Sequence, residues 1–167
     1  TQYGGDKGIF GYGEVMGVAE VSMTNLVSNT GVVASDVSGV GTTRAYLAAC
    51  EFGGDKGIFG YGSAPTTSVT NLVSNSGVVA TDVTGVGTVR YSLAACSYGG
   101  DKGIFGYGYG SDYISLTNLV SNVGVVATDT TGVGTARSDL AACEYGDDKA
   151  IFGYGWTGSS NVSMTNL

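Results

Sequence analysis

A segment of 46 to 49 residues is repeated along this chain, and this repetition limits the possible folds more than any other feature. The string DKGIFGYG begins at Asp6, Asp55 and Asp101, and it returns as DKAIFGYG at Asp148. Between these strings, TNL, GVVA and LAAC recur at matching places. Each repeat must therefore form one small structural unit, and neighbouring units must bury their apolar surfaces against one another.

The repeat length suits two architectures, the helical HEAT-type repeat and the four-stranded blade of a β-propeller. Glycine accounts for 30 of the 167 residues and interrupts every stretch that could otherwise form a helix. Val, Thr, Tyr and Phe dominate between the glycines, and these residues favour strands. The sequence therefore predicts an all-β fold rather than a helical one.

The third repeat shows how the strands are expected to follow one another. Its predicted strands, named A to D in chain order, cover residues 90–98, 102–107, 114–120 and 125–129. The turns A–B and C–D contain glycines and an Asp or Asn, which tolerate positive φ in tight hairpins. Strand A carries Leu-Ala-Ala-Cys, and such small side chains suit the innermost strand of a propeller.

On this interpretation the whole chain, 1–167, is one repeat array, a β-propeller built of four-stranded antiparallel blades. The blades are expected at approximately 1–42, 43–88, 89–135 and 136–167. The first would contain strands B to D and the last strands A to C, which makes about three and a half blades. Because propellers close with about four to eight blades, either more polypeptide or further copies of the chain would have to complete the ring.

Charge and composition exclude several classes of function. Seven basic and 14 acidic residues give a net charge of −7, which opposes binding to nucleic acid or to an anionic membrane surface. No apolar run approaches the roughly 20 residues of a membrane-spanning helix, so we expect no membrane insertion. The absence of histidine removes the commonest general base and a favoured metal ligand. We therefore expect no enzymatic activity, no cofactor and no metal site.

The three cysteines, Cys50, Cys96 and Cys143, occupy one position of the repeat. Equivalent positions in successive blades are expected to be too far apart for a disulfide, which requires Cα atoms within about 7 Å. We predict that all three are buried free thiols that act as small apolar side chains.

An arginine opens strand A of each blade and follows an aspartate by eight residues. A charge that is partly buried needs a partner, so we expect these residues to form hydrogen-bonded pairs that tie one blade to the next. The alternative is a ring of charge that binds an anion. The residues concerned are Arg44, Arg90, Arg137, Asp36, Asp82 and Asp129.

Two parts of the repeat vary while its framework stays constant. They are the loop between strands B and C and the pair of residues after the arginine. In an antiparallel meander both connections, D–A and B–C, lie at the same edge of the blades, where a rigid scaffold commonly displays binding residues. Free drift of exposed loops is the alternative explanation. The candidate ligand-binding residues at this variable edge are Tyr91, Tyr109, Asp112, Tyr113 and Trp156.

The strings TRAYLAAC, VRYSLAAC and ARSDLAAC, each followed by a Gly-rich turn and then by an aromatic strand such as GIFGYG, resemble the kelch repeat. The near-identical copies are also similar to highly repetitive propeller repeats in virion proteins of tailed phages. These resemblances imply a propeller in which the repeated blades have a structural role.

Two functions follow as expectations. The first is a non-enzymatic scaffold or assembly module of a phage virion or surface fibre, with protein partners or further copies of itself. The second is a lectin-like or receptor-binding module that uses the variable B–C loop edge, with a glycan as a candidate ligand. The low content of charged residues and the abundance of Ser, Thr and Gly are compatible with an extracellular or virion-surface location, which we expect.

Overall fold

The computed structural model describes residues 1–167, which form twelve β-strands and no α-helix. The strands build four separate three-stranded antiparallel sheets, each in chain order. Sheet 1 contains β1 (Gln2–Tyr3), β2 (Lys7–Val15) and β3 (Ala19–Val27); sheet 2 contains β4 (Ala48–Phe52), β5 (Lys56–Gly60) and β6 (Thr70–Val73); sheet 3 contains β7 (Ala94–Tyr98), β8 (Lys102–Gly106) and β9 (Thr117–Val120); sheet 4 contains β10 (Ala141–Tyr145), β11 (Lys149–Gly153) and β12 (Thr165–Asn166). The prediction of an all-β fold is confirmed.

Strand D, predicted for the first three blades, does not form, so each sheet has three strands and no blade is four-stranded. In sheet 3, the segment after β9 touches that strand only at two isolated bridges, Val120 with Val126 and Thr117 with Thr130. Between these bridges the returning segment has one residue more than the strand it faces, and an excess residue interrupts a ladder. The side chain of Asn118 fills the gap by donating to a backbone carbonyl (3.0 Å).

The first and third strands of the sheets are also shorter than predicted. In the third repeat, β7 begins at Ala94 and β9 begins at Thr117. Ser92 has a φ of 49°, and a residue in this left-handed region interrupts an extended strand. In the same way, Tyr107 has a φ of 63° and ends β8 at Gly106.

Sheet 1 differs from the prediction because it contains a strand at the position of strand A. Tyr3 lies opposite Lys7 and Gln2 lies opposite Gly8, so β1 pairs with β2. The prediction that strand A is missing from the first blade is therefore wrong. The physical reason is that the Gly-Gly-Asp turn is complete in this repeat, and the two residues before it can already pair.

Successive sheets pack against one another in chain order, and an apolar cluster fills each of the three junctions between them. The first strands of sheets 2, 3 and 4, which are β4, β7 and β10, lie side by side. The largest cluster joins sheets 2 and 3 and includes Phe52, Ile58, Tyr61 and Phe105. The structure contains no helix that is long and apolar enough to cross a membrane.

The cysteines follow this packing. All three are free thiols, and Cys50 and Cys96 are buried in junctions, where burial raises the pKa of each thiol to about 12. Cys143, on β10 of sheet 4, is exposed because no further sheet covers that strand. The prediction of burial is therefore wrong for Cys143.

The second glycine of the GIFGYG string allows the sheets to approach closely. A Cβ atom at Gly60 would lie 2.7 Å from the ring of Phe105 in the next sheet. In sheet 4, a Cβ at the equivalent Gly153 would have only Thr165 Cγ2 nearby, at 3.4 Å. The two glycines therefore have the same place in the repeat but different surroundings.

We expect Gly60→Ala to lower the free energy of unfolding by about 1–3 kcal/mol, because the added methyl group overpacks the buried ring of Phe105. Gly153→Ala is the matched control, and its effect should stay within about 0.5 kcal/mol. Urea denaturation followed by circular dichroism measures both. Equal effects at the two positions would show that no ring lies against Gly60.

Candidate functional site

A fully buried arginine precedes the first strand of sheets 2, 3 and 4. In sheet 2, Arg44 donates from Nε to the carbonyl oxygen of Tyr61 (2.8 Å) and from Nη1 to that of Thr42 (3.0 Å). Its Nη2 donates to Oδ1 of Asn71 (2.7 Å). Since Tyr61 follows the middle strand and Asn71 lies on the third, one guanidinium holds together all three strands at this edge of the sheet.

Asp82 extends this network through Asn71. Its carboxylate accepts hydrogen bonds from the backbone nitrogen (3.0 Å) and Oγ1 (2.6 Å) of Thr42 and from Nδ2 of Asn71 (2.9 Å). Burial acts to raise the pKa of Asp82, but these hydrogen bonds outweigh it and the pKa lies below its ordinary value. The same arrangement recurs in sheet 3 at Thr88, Arg90, Asn118 and Asp129.

The predicted pairing of each arginine with the aspartate eight residues before it is wrong. Asp36 accepts a hydrogen bond from Asn25 of its own sheet (2.7 Å) rather than from an arginine. Arg44 is instead linked to Asp82 of the same sheet, through the amide of Asn71. After the third strand the chain folds back beside it, with bridges of Val79 to Val73 and of Val83 to Thr70, and so returns to the edge where the first strand begins. The aspartate that is near Arg44 in space is therefore distant from it in sequence.

We expect acidification below about pH 4 to lower the free energy of unfolding, in part through Asp82 and Asp129. Both carboxyls have a lowered pKa in the folded chain, so each stabilises the fold above its unfolded value of about 3.9. That contribution is lost as the pH falls through the folded pKa. Urea unfolding at about pH 5 and about pH 3 measures the drop, and the double variant Asp82→Asn, Asp129→Asn should show a smaller one.

The link between consecutive sheets is aromatic. The guanidinium carbon of Arg44 lies 4.1 Å from the ring centroid of Tyr12, which belongs to sheet 1. Phe59 of sheet 2 also packs on Tyr12, and the centroids of the two rings lie 5.2 Å apart in an edge contact. Tyr12 also donates from its hydroxyl to the carbonyl oxygen of Val40 (3.0 Å). A tyrosine of one sheet is thus held by an arginine and a phenylalanine of the next.

Backbone hydrogen bonds reinforce each junction at both of its edges. Gly13 donates to the carbonyl oxygen of Arg44 (3.0 Å), and Gly4 donates to that of Asp55 (2.6 Å). The sequence analysis missed the role of these tyrosines. The available signal was the Tyr between two glycines in every GYG string, at a position where Tyr12 has a φ of 62°. The three junctions use Tyr12, Arg44 and Phe59; Tyr61, Arg90 and Phe105; and Tyr107, Arg137 and Phe152.

Four of the five candidate ligand residues meet in one open groove at the variable edge of sheets 3 and 4. The groove has a volume of about 330 Å³. Its walls are formed by Tyr91, Ser92, Tyr109, Tyr113, Ser138, Asp139 and Trp156. They come from the segments that lead into the first strands and from the loops after the middle strands, so these two connections do lie together.

The tyrosines of this aromatic groove form a continuous strip. Tyr91 and Tyr109 face each other across an isolated bridge, with ring centroids 5.6 Å apart. Tyr113 follows, 4.9 Å from Tyr109, again edge to face. Ser138 and Trp156 form the equivalent bridge in sheet 4. The residue after the arginine and a residue of the B–C loop, which both vary between repeats, therefore lie opposite each other across a bridge.

Asp112 is the candidate that the structure does not place in the groove. It is exposed in the loop, and its Oδ1 accepts a hydrogen bond from the backbone nitrogen of Tyr113 (2.7 Å). The sequence analysis did not select Ser92, Ser138 or Asp139, which do line the groove. They belong to the variable pair after each arginine, so their variation was the signal that could have found them.

The charges of the chain are divided between the two edges of the sheets. All four lysines lie beside the turn between the first two strands, each within 3.0 Å of the aspartate before it. That turn is at the edge opposite the aromatic groove, where Asn75 of the third-strand turn donates to Asp55 (3.2 Å). The three arginines are buried, so the exposed charges beside the groove are the carboxylates Asp112 and Asp139.

No protein-family model matches the chain, and no curated protein matches it in sequence. The resemblance to kelch repeats and to phage virion repeats therefore stays a prediction. The functional proposals below are based on the junctions and on the aromatic groove.

Proposed function

We propose that this chain is a non-enzymatic scaffold that associates end to end with further copies of itself. The observation that carries the proposal is a tyrosine–phenylalanine contact repeated at three junctions, of which sheet 4 presents a further tyrosine and sheet 1 a further phenylalanine. Within the chain, a phenylalanine of each later sheet packs on a tyrosine of the sheet before it, and all three phenylalanines are buried.

The two outer halves of the junction are exposed. In sheet 1, Phe10 is 66% exposed, and in sheet 4, Tyr154 is 63% exposed. A second copy could place its Phe10 on Tyr154 of the first, in the arrangement that Phe59 and Tyr12 have inside the chain. Such a head-to-tail contact uses two different surfaces, so it either closes into a ring or grows into a fibre.

We propose further that the closed form is a kelch-like β-propeller. The adjacency of the innermost strands β4, β7 and β10, which carry small side chains, supports a common axis. An extracellular or virion-surface setting, as a component of a phage or surface fibre, belongs to the same proposal. A stiff repeated architecture in which only 13% of the residues are charged supports that setting.

Analytical ultracentrifugation tests the end-to-end association. Wild type should form oligomers as its concentration rises, whereas Phe10→Glu and Tyr154→Glu should each remain monomeric because a charge blocks one half of the junction. Phe10→Glu keeps Tyr154 and Tyr154→Glu keeps Phe10, so one contact can still form between the two variants. An equimolar mixture of them should therefore form dimers.

The matched control for this experiment is Met16→Glu. Met16 is 89% exposed in sheet 1 but lies in the turn between β2 and β3, away from the stacking surface. This variant should oligomerise as wild type does. A monomeric wild type, or a mixture of blocked variants that stays monomeric, would overturn the proposal.

The second candidate function is ligand recognition at the aromatic groove. The specific observation in its favour is that Tyr91, Tyr109, Tyr113 and Trp156 converge there, although their positions vary between repeats. Partly exposed aromatic side chains on a rigid scaffold are suited to anchoring a partner. This function is compatible with the scaffold role, because the groove lies at the sheet edge and the end faces stay free.

A further inference from the structure

We infer that the aromatic groove binds uncharged pyranose sugars and discriminates against anionic glycans, an inference that rests on the recognition function proposed above. The first step is the shape of the groove. Tyr109 contacts both Tyr91 and Tyr113 edge to face, so the three rings form a strip rather than a closed cage. All three rings are partly exposed, and the apolar face of a single aromatic ring suits the C–H face of a pyranose ring.

The second step is the polar group beside the strip. Ser138 Oγ donates to Asp139 Oδ2 (2.7 Å), which fixes the carboxylate and leaves Oδ1 without a hydrogen bond within the chain. A carboxylate oxygen accepts hydrogen bonds from hydroxyl groups, and such charge-assisted bonds are stronger than neutral ones. Asp139 therefore supplies an oriented acceptor for a sugar hydroxyl next to the aromatic surface.

The third step is charge. Asp112 and Asp139 are the exposed charged groups near the groove, while the lysines lie at the opposite edge and the arginines are buried. A sulfate or sialic acid carboxylate would face like charge without a cationic partner, and such juxtaposition suppresses binding. The volume of about 330 Å³ is at the small end of ligand sites and suits a short sugar segment.

The experiment uses matched pairs of oligosaccharides. A glycan array carries neutral oligosaccharides of glucose, galactose, mannose and N-acetylglucosamine together with their sulfated or sialylated counterparts. The affinity of the protein for each sugar that binds is then measured in solution from the fluorescence of Trp156. It is the only tryptophan of the chain and lines the groove, so its emission reports binding there. We expect at least one neutral sugar to bind roughly tenfold more tightly than its anionic counterpart.

Two variants and one control locate the binding and its selectivity. Tyr113→Ala should weaken neutral-sugar binding at least about tenfold, while Tyr145→Ala, a partly exposed tyrosine outside the groove, should not change it. Asp139→Asn removes a charge at a position with a φ of 53°, which asparagine tolerates, so the variant should fold. In this variant the affinities for a neutral sugar and for its anionic counterpart should lie closer together than in wild type.

The outcomes separate the inference from the function on which it rests. Equal or tighter binding of sulfated or sialylated sugars would overturn the inference and leave recognition at the groove intact. Failure to bind any sugar on the array would overturn the inference, while the sedimentation experiment on the scaffold would be unaffected. An unchanged ratio in Asp139→Asn would show that this carboxylate does not set the selectivity.

Discussion

Phe105→Ala is expected to lower the free energy of unfolding by about 3–5 kcal/mol, among the largest effects of any single substitution in this chain. Phe105 is fully buried between sheets 2 and 3, where its ring contacts Tyr61 and lies against Gly60. Truncation would remove the transfer energy of the ring and leave a cavity at the largest apolar cluster. Urea denaturation of the whole chain measures the loss.

The repeat provides a control with the same residue type at the same position. Phe10→Ala changes a side chain that is two-thirds exposed, and we expect the free energy of unfolding to change by no more than about 0.5 kcal/mol. A repeat array unfolds approximately as a sum of unit and junction terms, so the difference between the two variants reports one junction. Comparable losses of unfolding free energy in the two variants would contradict the claim that Phe105 is buried in a junction between sheets whereas Phe10 is exposed.

Arg44→Met is expected to be about as severe, with a loss of about 3–5 kcal/mol. Methionine fills much of the volume but cannot donate, so the carbonyl oxygens of Tyr61 and Thr42 and the amide oxygen of Asn71 lose their donors. The cation–π contact with Tyr12 in the preceding sheet is lost as well. Thermal and urea unfolding measure the change.

Arg137→Met is the matched control for this substitution. Arg137 stacks on Tyr107 in the same way, at 4.1 Å, but its Nη2 has no hydrogen-bond partner, and Oδ1 of Asn166 is likewise unpartnered. The third strand of sheet 4 is only two residues long, and the contact made by Asn71 in sheet 2 is not formed there. We expect Arg137→Met to cost about 1–3 kcal/mol less than Arg44→Met. Equal costs would show that the contact with Asn71 contributes nothing.

Repetition made much of the fold predictable from the sequence. Strings that recur at a fixed spacing must occupy equivalent places, so the strand positions around DKGIFGYG and the grouping of variable positions could be deduced without knowledge of any contact. The convergence of Tyr91 and Tyr109 followed from strand direction alone, because the connections of an antiparallel meander alternate between its two edges.

What could not be predicted depended on distances between residues far apart in the sequence. Asp36 precedes Arg44 by eight residues, yet the aspartate linked to Arg44 is Asp82, which lies on the segment that folds back beside the third strand. The interruption of the fourth strand depended on one excess residue between two bridges, which hydrophobic alternation does not reveal. The role of Tyr12 depended on the stacking of whole sheets.

The claim on which the rest depends is that consecutive sheets meet through the same aromatic junction. The most direct measurement is a nuclear Overhauser spectrum of protein labelled at its aromatic side chains. We expect cross-peaks between the rings of Tyr61 and Phe105, whose centroids are 5.2 Å apart, and between those of Tyr12 and Phe59, also 5.2 Å apart. Cross-peaks that join these tyrosines only to residues of their own sheets would contradict the stacked arrangement.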